Sequence, residues 1–535
     1  MGHSHGVGGP RLGRRGLLAG AAALAGSPAR AQRRDARELR FITAVGLTVL
    51  DPIWTASLVT LNHAYHVYDT LYGIGQDLSP RPQMVAGHTV SDDGLVWRFQ
   101  LRDGLVFHDG ERVLARDAVA SMRRWWRRDS FGQLVAEAAD TLDAPDDRTI
   151  RLTLKRPFPH LLGALSRVGA LTCFVMPERH AVVDAYTQVK EVVGSGPYRF
   201  LAEEFNPGSR SAYAKFDRYV PRQEPAERTA GGKVAHFERV AWHTMPDAAT
   251  AAAAMQTGEM DWWELVPADL RELVTKSRNV VLQAKDPYNW YAIARFNHLH
   301  PPFNNLALRR AVLASVHQED FMRAAFGDDP EVRRTCRAMM PCGVKDVTEL
   351  GQADMPALPI ADGRRAVAAS GYNGERTVVM APMDYPQLGA FGIVTADLLK
   401  RLGMNVDFQP MDWGTMIQRT ASRELVERGG WSMFHTSGSM VSMINPALNM
   451  YVRGQGLKGW VGWYDKPEIE AIAQEWLGSP ADAAQRERFD RMQRVLFADP
   501  PLLPLGQYGV HTARGRDITG ILDGSGSYPW NVRRI

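Results

Sequence analysis

Cysteine and an excess of one charge are both scarce in this chain. Its 535 residues include three cysteines, Cys173, Cys336 and Cys342, so a dense disulfide framework is excluded. Four of the 63 basic residues lie in the first 31 positions, which contain no acid, and the 59 basic residues that follow are balanced by 59 acidic ones. This balance gives no support to a nucleic-acid partner.

Long apolar runs are also missing, since spanning a bilayer takes about 20 apolar residues. The apolar run at 17–25 follows Arg14 and Arg15 and precedes Ala29-Arg30-Ala31, which is the order of an export signal. An arginine pair followed by glycine and two leucines resembles a twin-arginine signal. We therefore predict a cleaved signal over 1–31 and a soluble periplasmic protein. With no cysteine near the cleavage site, no lipid anchor is expected.

Metal-ligating clusters are not evident in the sequence. Cys336 and Cys342 are separated by five residues and either form a small disulfide loop or remain two thiols. No histidine or third cysteine stands beside them at the spacing of a zinc site. Two histidine pairs lack further ligands at suitable spacing, namely His63 with His66 and His298 with His300. We expect neither a metal site nor a cofactor.

Catalytic motifs are incomplete. Gly194-Ser195-Gly196-Pro197 does not satisfy the nucleophile-elbow pattern, and its proline would stop the helix that should follow. Residues 431–451 include His435, Ser437 and Ser439 but no acid to orient the histidine. Phosphate-binding and dinucleotide-binding glycine motifs are missing. We expect a binding protein and no enzymatic activity, and a secreted hydrolase using His435 and Ser437 is the alternative from another class.

Helical and strand periods alternate along the chain, which is typical of an α/β fold. Residues 96–101 and 150–154 alternate as strands in a β-rich meander, and 118–126 is spaced as an amphipathic helix with Asp117 as its N-cap. Further helices are predicted at 306–316, 387–402, 467–477 and 484–497, and further strands at 237–243, 377–381 and 405–409. The chain divides into two lobes near Ala284.

One β-α-β unit is especially clear. The strand at 377–381, the helix at 387–402 and the strand at 405–409 predict a right-handed crossover between parallel strands. The loops at 382–386 and 410–414 follow the carboxyl ends of these strands. Open α/β sheets bind ligands at such ends.

Several stretches, taken in series, resemble the large extracytoplasmic solute-binding proteins of ABC importers, family 5, which include oligopeptide, dipeptide and nickel binders. The most distinctive is DDGLVWRFQLRDGLVFHDG at 92–110. The others are Leu50-Asp51-Pro52, YDTLY at 68–72, ARDAV at 115–119, VGSGPY at 193–198, GEMD at 258–261, Phe296-Asn297, Pro301-Pro302-Phe303 and LRRAV at 308–312.

This resemblance implies a two-lobed periplasmic binding protein fold, type II and cluster C, with an extra β-rich subdomain in the first lobe. The first lobe would comprise 32–68, the extra subdomain 69–193, then 194–285 and 501–535. The second lobe would comprise 286–500. The chain would cross between lobes near 284–290 and 500–507.

The resemblance also implies a solute held between the lobes and delivered to a membrane permease by a monomeric protein. In peptide-binding members an aspartate on the second lobe, in a segment that follows a tryptophan, binds the peptide ammonium group. Residues 431–446 of this chain contain Asn445 and no acid, and a buried ammonium group without a carboxylate is costly. The solute is therefore expected to be a small organic molecule, either peptide-like or a non-peptide such as an amine, an opine or a short glycoside.

Trp413 matches a tryptophan that is common at the pocket wall in this family, and Asp384 and Tyr385 lie in the loop that resembles a pocket strand end. The second lobe and the hinge would further contribute Trp431, His435, Thr436, Ser437, Ser439 and Trp290. The first lobe would contribute Trp54 and Thr55. A nickel-chelate or haem carrier on the same scaffold, with His435 as a ligand, is the alternative.

Overall fold

The computed structural model describes residues 1–3, 6 and 35–535, except 170, 331, 344–346, 349, 351–356 and 481–484. The predicted export signal and its cleavage site lie outside the described residues. Within the described part of the chain, no helix combines the length and apolarity needed to cross a membrane.

Twenty-three strands are assigned among the described residues. In chain order they are β1 (Glu38–Thr43), β2 (Asp69–Thr70), β3 (Tyr72–Ile74), β4 (Pro80–Pro82), β5 (Val85–Val90), β6 (Val96–Leu101), β7 (Ala139–Asp143), β8 (Thr149–Leu154), β9 (Phe174–Val175), β10 (Tyr198–Phe200), β11 (Arg210–Lys215), β12 (Arg239–Thr244), β13 (Trp262–Trp263), β14 (Val280–Ala284), β15 (Trp290–Phe296), β16 (Arg333–Arg334), β17 (Thr377–Pro382), β18 (Val406–Met411), β19 (Met433–Ser439), β20 (Leu502–Tyr508), β21 (His511–Gly515), β22 (Ile518–Thr519) and β23 (Arg533–Arg534).

Fourteen α-helices connect these strands in the same described part. They are α1 (Leu58–Val67), α2 (Ala115–Trp126), α3 (Ser130–Ala138), α4 (Leu161–Leu165), α5 (Glu178–Ala181), α6 (Ala248–Thr257), α7 (Arg271–Thr275), α8 (Leu306–Ala314), α9 (Gln318–Phe326), α10 (Ile360–Ala369), α11 (Pro386–Arg401), α12 (Trp413–Thr420), α13 (Pro467–Leu477) and α14 (Arg486–Ala498).

Two large sheets organise the two lobes. The first has the order β10-β11-β12-β1-β13-β21-β14, and the second has the order β16-β20-β15-β19-β17-β18. In the second sheet β17 and β18 are parallel, with Thr377 opposite Val406, and α11 connects them. The predicted β-α-β unit is therefore confirmed, and its strands and helix differ from the predicted bounds by one or two residues.

The chain passes between the sheets twice. The first passage joins β14 to β15 through residues 285–289, and the second joins β20 to β21 through 509–510. The sequence-based boundary at residue 500 was wrong for β20, which pairs with β15 in the second sheet. Every residue of β20 is buried, because this apolar strand supplies part of the second lobe's core.

The extra subdomain is built on a four-stranded sheet with the order β5-β6-β8-β7. Its strand β6 has the predicted bounds, and Trp125 of α2 is buried with its indole N–H donating to the carbonyl of Leu171 at 2.8 Å. Asp117 is not the N-cap of α2 as predicted. It is the third helical residue, and its carboxylate accepts from the backbone N–H of Leu114, the residue before the helix, at 2.8 Å.

The cysteines take two forms. Cys336 and Cys342 form a disulfide with a Cα–Cα distance of 5.8 Å, which resolves the alternative that the sequence left open. Cys173 is a buried free thiol, and burial raises its pKa.

Candidate functional site

The candidate site lies at one edge of the second sheet, where the carboxyl ends of the parallel strands β17, β18 and β19 meet. Both passages between the sheets leave from the same edge, at the start of β15 and the end of β20. Side chains at this edge therefore face the first lobe. This is the position at which open α/β sheets bind ligands.

A row of three aromatic and hydroxyl residues marks this edge. Trp290 is paired with Tyr508 on one side and with Ser439 on the other, so the three side chains lie on one face of the sheet. The Tyr508 hydroxyl is 2.6 Å from the hydroxyl of Ser437. The indole N–H of Trp290 and the hydroxyl of Ser439 are buried and have no hydrogen-bond partner among the described residues. Such groups are rare and point to a missing partner.

Tyr385 and Trp413 extend the row along the loops after β17 and β18. Their ring centroids are 5.8 Å apart, and both rings are half-buried. Asp384 is exposed, and its carboxylate accepts from the backbone N–H of Trp413 at 2.8 Å. Asp384 therefore joins the two loops and positions the first residue of α12.

The first lobe presents a buried carboxylate at the facing edge. Glu264 follows β13 and is 1% exposed. Its carboxylate accepts from four groups, the N–H of Ala44 (2.9 Å), the side-chain amide of Asn62 (2.6 Å), the ammonium of Lys285 (3.0 Å) and the hydroxyl of Ser527 (3.1 Å). Burial would raise the pKa of Glu264, but Lys285 and the other donors hold it below its ordinary value. The carboxylate of Glu264 therefore remains negatively charged. Its contact with Lys285 fixes the start of the first passage between the lobes.

Tyr385 interacts electrostatically with Glu264 of the first lobe. Burial, together with the negative charges of Glu264 and Asp384, raises the pKa of Tyr385 to about 12. The tyrosine is therefore a neutral hydroxyl at physiological pH. The sheet edges of the two lobes are in electrostatic contact here.

A narrow cavity lies between the two edges, with an interior volume of about 30 Å³. Its lining comes from both lobes: Leu265, Val266, Ala268, Arg271, Val510 and His511 on the first, and Trp290, Phe326, Val332, Tyr385, Gln387, Tyr508 and Gly509 on the second lobe and the second passage. This volume holds about two water molecules. A solute can therefore enter only when the lobes move apart.

An ion pair joins the lobes at this cavity. The Arg271 guanidinium in α7 lies 2.8 Å from the carboxylate of Asp329, which follows α9. A second guanidinium nitrogen lies 3.4 Å from Nε2 of His511. Burial and the nearby Arg271 lower the pKa of His511 to about 4, so the imidazole is neutral. Arg271 is therefore the only charged side chain among the described residues that line this cavity.

The structure does not bring two of the predicted residues to this site. Trp431 is 1% exposed, packs on Trp463 and Phe434, and donates its indole N–H to the carbonyl of Thr420 at 3.1 Å. It is part of the core because it precedes a strand whose first residues are covered on both faces. A pattern of residue types could not distinguish Trp431 from Trp413.

His435 is also a core residue. Its Nε2 lies 2.8 Å from the Thr395 hydroxyl, and its Nδ1 lies 3.2 Å from the carbonyl of Met380. Burial lowers the pKa of His435 to about 4. Both ring nitrogens are engaged under α11, so this histidine has none to offer a metal, haem or an acyl-transfer reaction.

Three other predicted residues, Thr436, Trp54 and Thr55, also lie away from the sheet edge. Thr436 is buried on the opposite face of β19, next to the hydroxyl of Tyr451. Trp54 is exposed and Thr55 is half-buried, and neither lines the interlobe cavity. The carbonyl of Trp54 accepts from Arg128 of the extra subdomain at 2.9 Å. These three residues lie away from the row at the sheet edge.

The sequence interpretation missed Tyr508, Arg271, His511 and Glu264. Tyr508 and His511 flank the second passage between lobes, which was placed too early in the chain. Arg271 and Glu264 carry no local pattern that separates them from surface charges. Among the described residues no group of three His, Cys, Asp or Glu side chains could hold a metal ion.

This combination of two sheets, two passages and a lined gap defines a two-lobed binding protein. A sequence-family model, described as bacterial extracellular solute-binding proteins, family 5 Middle, matches residues 79–455. A probable peptide ABC transporter periplasmic-binding protein, y4tO of Sinorhizobium fredii, is 34% identical over 525 residues, covering 97% of this chain and 98% of the relative. The chain therefore belongs to family 5 of the bacterial extracellular solute-binding proteins.

Two solved structures show the same fold. The binding protein AgaA from A. tumefaciens R10, in complex with agropinic acid, superposes with a TM-score of 0.78 at 18% identity, covering 93% of this chain and 99% of that one. A dipeptide-binding protein of Pseudoalteromonas sp. SM9913, in complex with Met-Leu, gives a TM-score of 0.78 at 18% identity, covering 93% of this chain and all of that one.

Proposed function

We propose that this protein is the periplasmic substrate-binding component of an ABC importer and captures a small carboxylate-bearing organic solute between its lobes. The observation that carries the proposal is the cavity between the sheet edges, where the aromatic rings of Trp290, Tyr385 and Tyr508 share one lining with Arg271 of the first lobe. Family membership and the name of the Sinorhizobium relative support the importer role. The solute would be peptide-like or an opine.

The charges at the cleft support a solute with a carboxylate. Arg271 lines the cavity, and although its two terminal nitrogens contact Asp329 and His511, its Nε has no hydrogen-bond partner among the described residues. The buried acid Glu264, which precedes the lining residue Leu265, already accepts from four donors. A carboxylate would therefore find a donor, whereas an ammonium group would have to displace one of the partners of Glu264.

Aromatic side chains would bind the body of the solute. Tyr385, Trp413 and Trp290 offer flat apolar faces, and the indole N–H of Trp290 and the hydroxyl of Ser439 supply hydrogen bonds. Such a mixture is typical of pockets for small organic molecules. Solute binding would satisfy the two buried polar atoms that have no protein partner.

The protein is proposed to act as a monomeric carrier with no catalytic activity, exported through its N-terminal signal and read by a membrane permease when closed. The separation of His435 from Ser437 supports the expected lack of catalytic activity. The histidine bonds to Thr395 and Met380, and the serine bonds to Tyr508. The two side chains form no nucleophile and base pair.

A thermal-shift screen of the protein from residue 32 onward tests this function. The screened solutes are di- and tripeptides, opines, amines, short glycosides and nickel chelates, and a solute at about 100 times its Kd should stabilise the protein by about 2.7 kcal/mol. Peptides or opines with a free carboxylate should shift the melting temperature, and their amides should not. Stabilisation by amines or nickel chelates alone would contradict the proposal.

Trp413→Ala provides the site-specific arm of the same test. Loss of the indole face should weaken solute binding by about tenfold, equivalent to about 1.4 kcal/mol, with little change in folding stability because the ring is only half-buried. Trp97→Ala is the matched control, since Trp97 is a half-buried tryptophan that stacks on His88 in the extra subdomain. Equal affinity of Trp413→Ala and wild type in calorimetry would refute the assignment of the site.

A further inference from the structure

A second cavity, of about 330 Å³, lies between the extra subdomain and the second lobe. Its subdomain wall comes from α4 and the residues after it, and its other wall comes from the segment after β19 and from α13 and α14. Its volume is within the range of small-molecule pockets. It is about ten times larger than the cavity at the interlobe sheet edge.

The walls of this cavity are mainly apolar. Phe131 and Val168 contribute from the subdomain, and Val441, Ile444 and Phe489 contribute from the second lobe. Burying an apolar group against such walls is favourable by roughly 25 cal/mol per Å². The body of an occupant is therefore expected to be aliphatic or aromatic.

One charged residue lines the cavity among the described residues. The side chain of Arg167 is 9% exposed, and its Nη1 donates to the Asp129 carboxylate at 2.6 Å. Its Nε has no hydrogen-bond partner in the described part of the chain. Asn445 also lines the cavity. A guanidinium N–H without a partner fits an anionic acceptor, above all a carboxylate.

A contact between the two bodies forms part of the cavity wall. The imidazole of His160 stacks on the indole of Trp476 with ring centroids 3.9 Å apart. His160 Nε2 also lies 3.2 Å from the carbonyl of Trp476. An occupant would touch the subdomain and the second lobe at once, so its binding would favour the closed arrangement.

We propose that this cavity is a second solute subsite, specific for an apolar group that carries a carboxylate. This proposal rests on the proposed function, because the same closure of the lobes forms both sites. The chain connects them directly, because Ser439 at the first site is followed by a single turn, Met440–Ser442, whose Val441 and Ser442 line the second. A solute longer than a dipeptide could place one end in each.

The test uses 4-phenylbutyrate, a small apolar carboxylate, with the full chain in saturation-transfer NMR and calorimetry. The expected result is saturable binding with a Kd below about 1 mM, and binding of 4-phenylbutanol that is at least about tenfold weaker. Absence of saturable binding up to about 10 mM would overturn the proposal. Equal affinity for the acid and the alcohol would overturn the carboxylate specificity.

Gly163→Leu tests the location. Gly163 is exposed at the cavity wall, and a Cβ placed there meets no atom within 4 Å, so a leucine side chain can be introduced there without a clash at Cβ. The variant should lose at least about tenfold in affinity for 4-phenylbutyrate. Gly87→Leu is the control, because Gly87 is likewise free of neighbours but lies in β5. Equal binding by wild type and Gly163→Leu would overturn the location.

Two further variants separate this inference from the proposed function. Arg167→Gln combined with Asp129→Asn removes both charges of the buried pair and should abolish the preference for the acid over the alcohol, while an unchanged preference would overturn the role of Arg167. Trp413→Ala should leave 4-phenylbutyrate binding unchanged. If Trp413→Ala abolishes binding and Gly163→Leu does not, the probe occupies the first site, which overturns the second subsite and leaves the proposed function standing.

Discussion

Individual buried polar groups in this protein are of two kinds. Glu264 and His435 are fully buried and have several hydrogen-bond partners. Ser439 and Trp290 are at the cleft and each bury a polar atom that has no partner among the described residues. The first kind stabilises the fold, and the second kind is available to a solute.

Ser439→Ala tests this distinction. Removing a buried hydroxyl without a partner should leave the free energy of unfolding unchanged or raise it by up to about 1 kcal/mol, whereas solute affinity should fall several-fold. Chemical denaturation and calorimetry measure the two effects.

Ser432→Ala is the matched control. The Ser432 hydroxyl is buried and accepts from the N–H of Val378 at 3.0 Å, so its loss should cost about 1 to 3 kcal/mol of stability without changing affinity. If Ser439→Ala destabilises the protein as much as Ser432→Ala does, the Ser439 hydroxyl is structural.

His435 should make the stability depend on pH. Its pKa in the folded protein is about 4, against about 6.5 in the unfolded chain. Between these values the unfolded chain binds a proton that the folded protein does not. The contribution of His435 to the free energy of unfolding therefore has its full value above pH 6.5 and is lost progressively as the pH falls towards 4. The free energy of unfolding falls by about 3 kcal/mol over this range because of this one group.

His435→Gln should remove this share of the pH dependence. Urea denaturation between pH 7.5 and 5 should show a loss of stability that is about 2 kcal/mol smaller in the variant than in wild type. His317→Gln is the control, since His317 is exposed. Parallel pH profiles for wild type and His435→Gln would contradict the burial of a neutral imidazole.

Residue types alone could identify only part of the site. The prediction of Trp413 and Tyr385 rests on the family resemblance, and the structure places their rings 5.8 Å apart in the loops after two strands of the β-α-β unit. Trp431 and His435 carry the same residue types in the neighbouring segment, but helix α11 covers His435 and an aromatic cluster covers Trp431. Burial against a distant element is a property of the fold, so the short segment could not reveal it.

At the scale of elements, helix α11 sets the depth of the site because it packs closely on β17. Gly392 lies at the contact, where an added Cβ would come 2.3 Å from the Cβ of Ala381. The helix can approach the strand only with glycine here. This approach places Tyr385, at the start of the helix, beside the cleft.

Gly392→Ala should therefore lower the free energy of unfolding by about 1 to 3 kcal/mol, because overpacking exceeds the gain in helix propensity. Gly163→Ala should raise it by up to about 1 kcal/mol, since that position in α4 is open. Thermal and urea denaturation check both. A gain in stability for Gly392→Ala would show that α11 can shift away from β17 at little cost.

Periodicity predicted most of the elements named from the sequence, and their bounds needed small corrections. The exception at this scale is β20, whose strand was assigned to the wrong lobe. An apolar strand fits the core of either lobe, and only its pairing with β15 decides between them. Such long-range pairing is not encoded in a local pattern.

At the scale of the whole molecule, the two sheet edges are held together by a small number of polar contacts around a nearly filled gap. The Arg271 to Asp329 ion pair is the clearest of these, with one partner on each lobe. Closing the lobes brings these charges together, so the pair contributes to the closed state and to solute affinity.

Asp329→Asn should reduce solute affinity by about two- to fivefold, in keeping with the about 1 kcal/mol or less of a partly exposed ion pair. The effect should shrink at high salt. Asp328→Asn is the control, because Asp328 pairs with Arg323 inside the second lobe at 2.7 Å. Equal losses for the two variants in calorimetry would contradict a role for Asp329 in closure.

Closure of the lobes on a solute shortens the distance between them, and this distance can be measured with spin labels. Spin labels would be placed at Leu273→Cys on the first lobe and Ile417→Cys on the second, which are 44% and 42% exposed. Cys173 is buried and the other two cysteines are in a disulfide, so labelling would be selective.

Double electron–electron resonance with and without a saturating solute from the screen would then give the two distance distributions. We expect a broad distribution of distances without solute and a shorter, narrower distribution with solute. The same distribution in both samples, with the solute shown to be bound, would contradict this expectation.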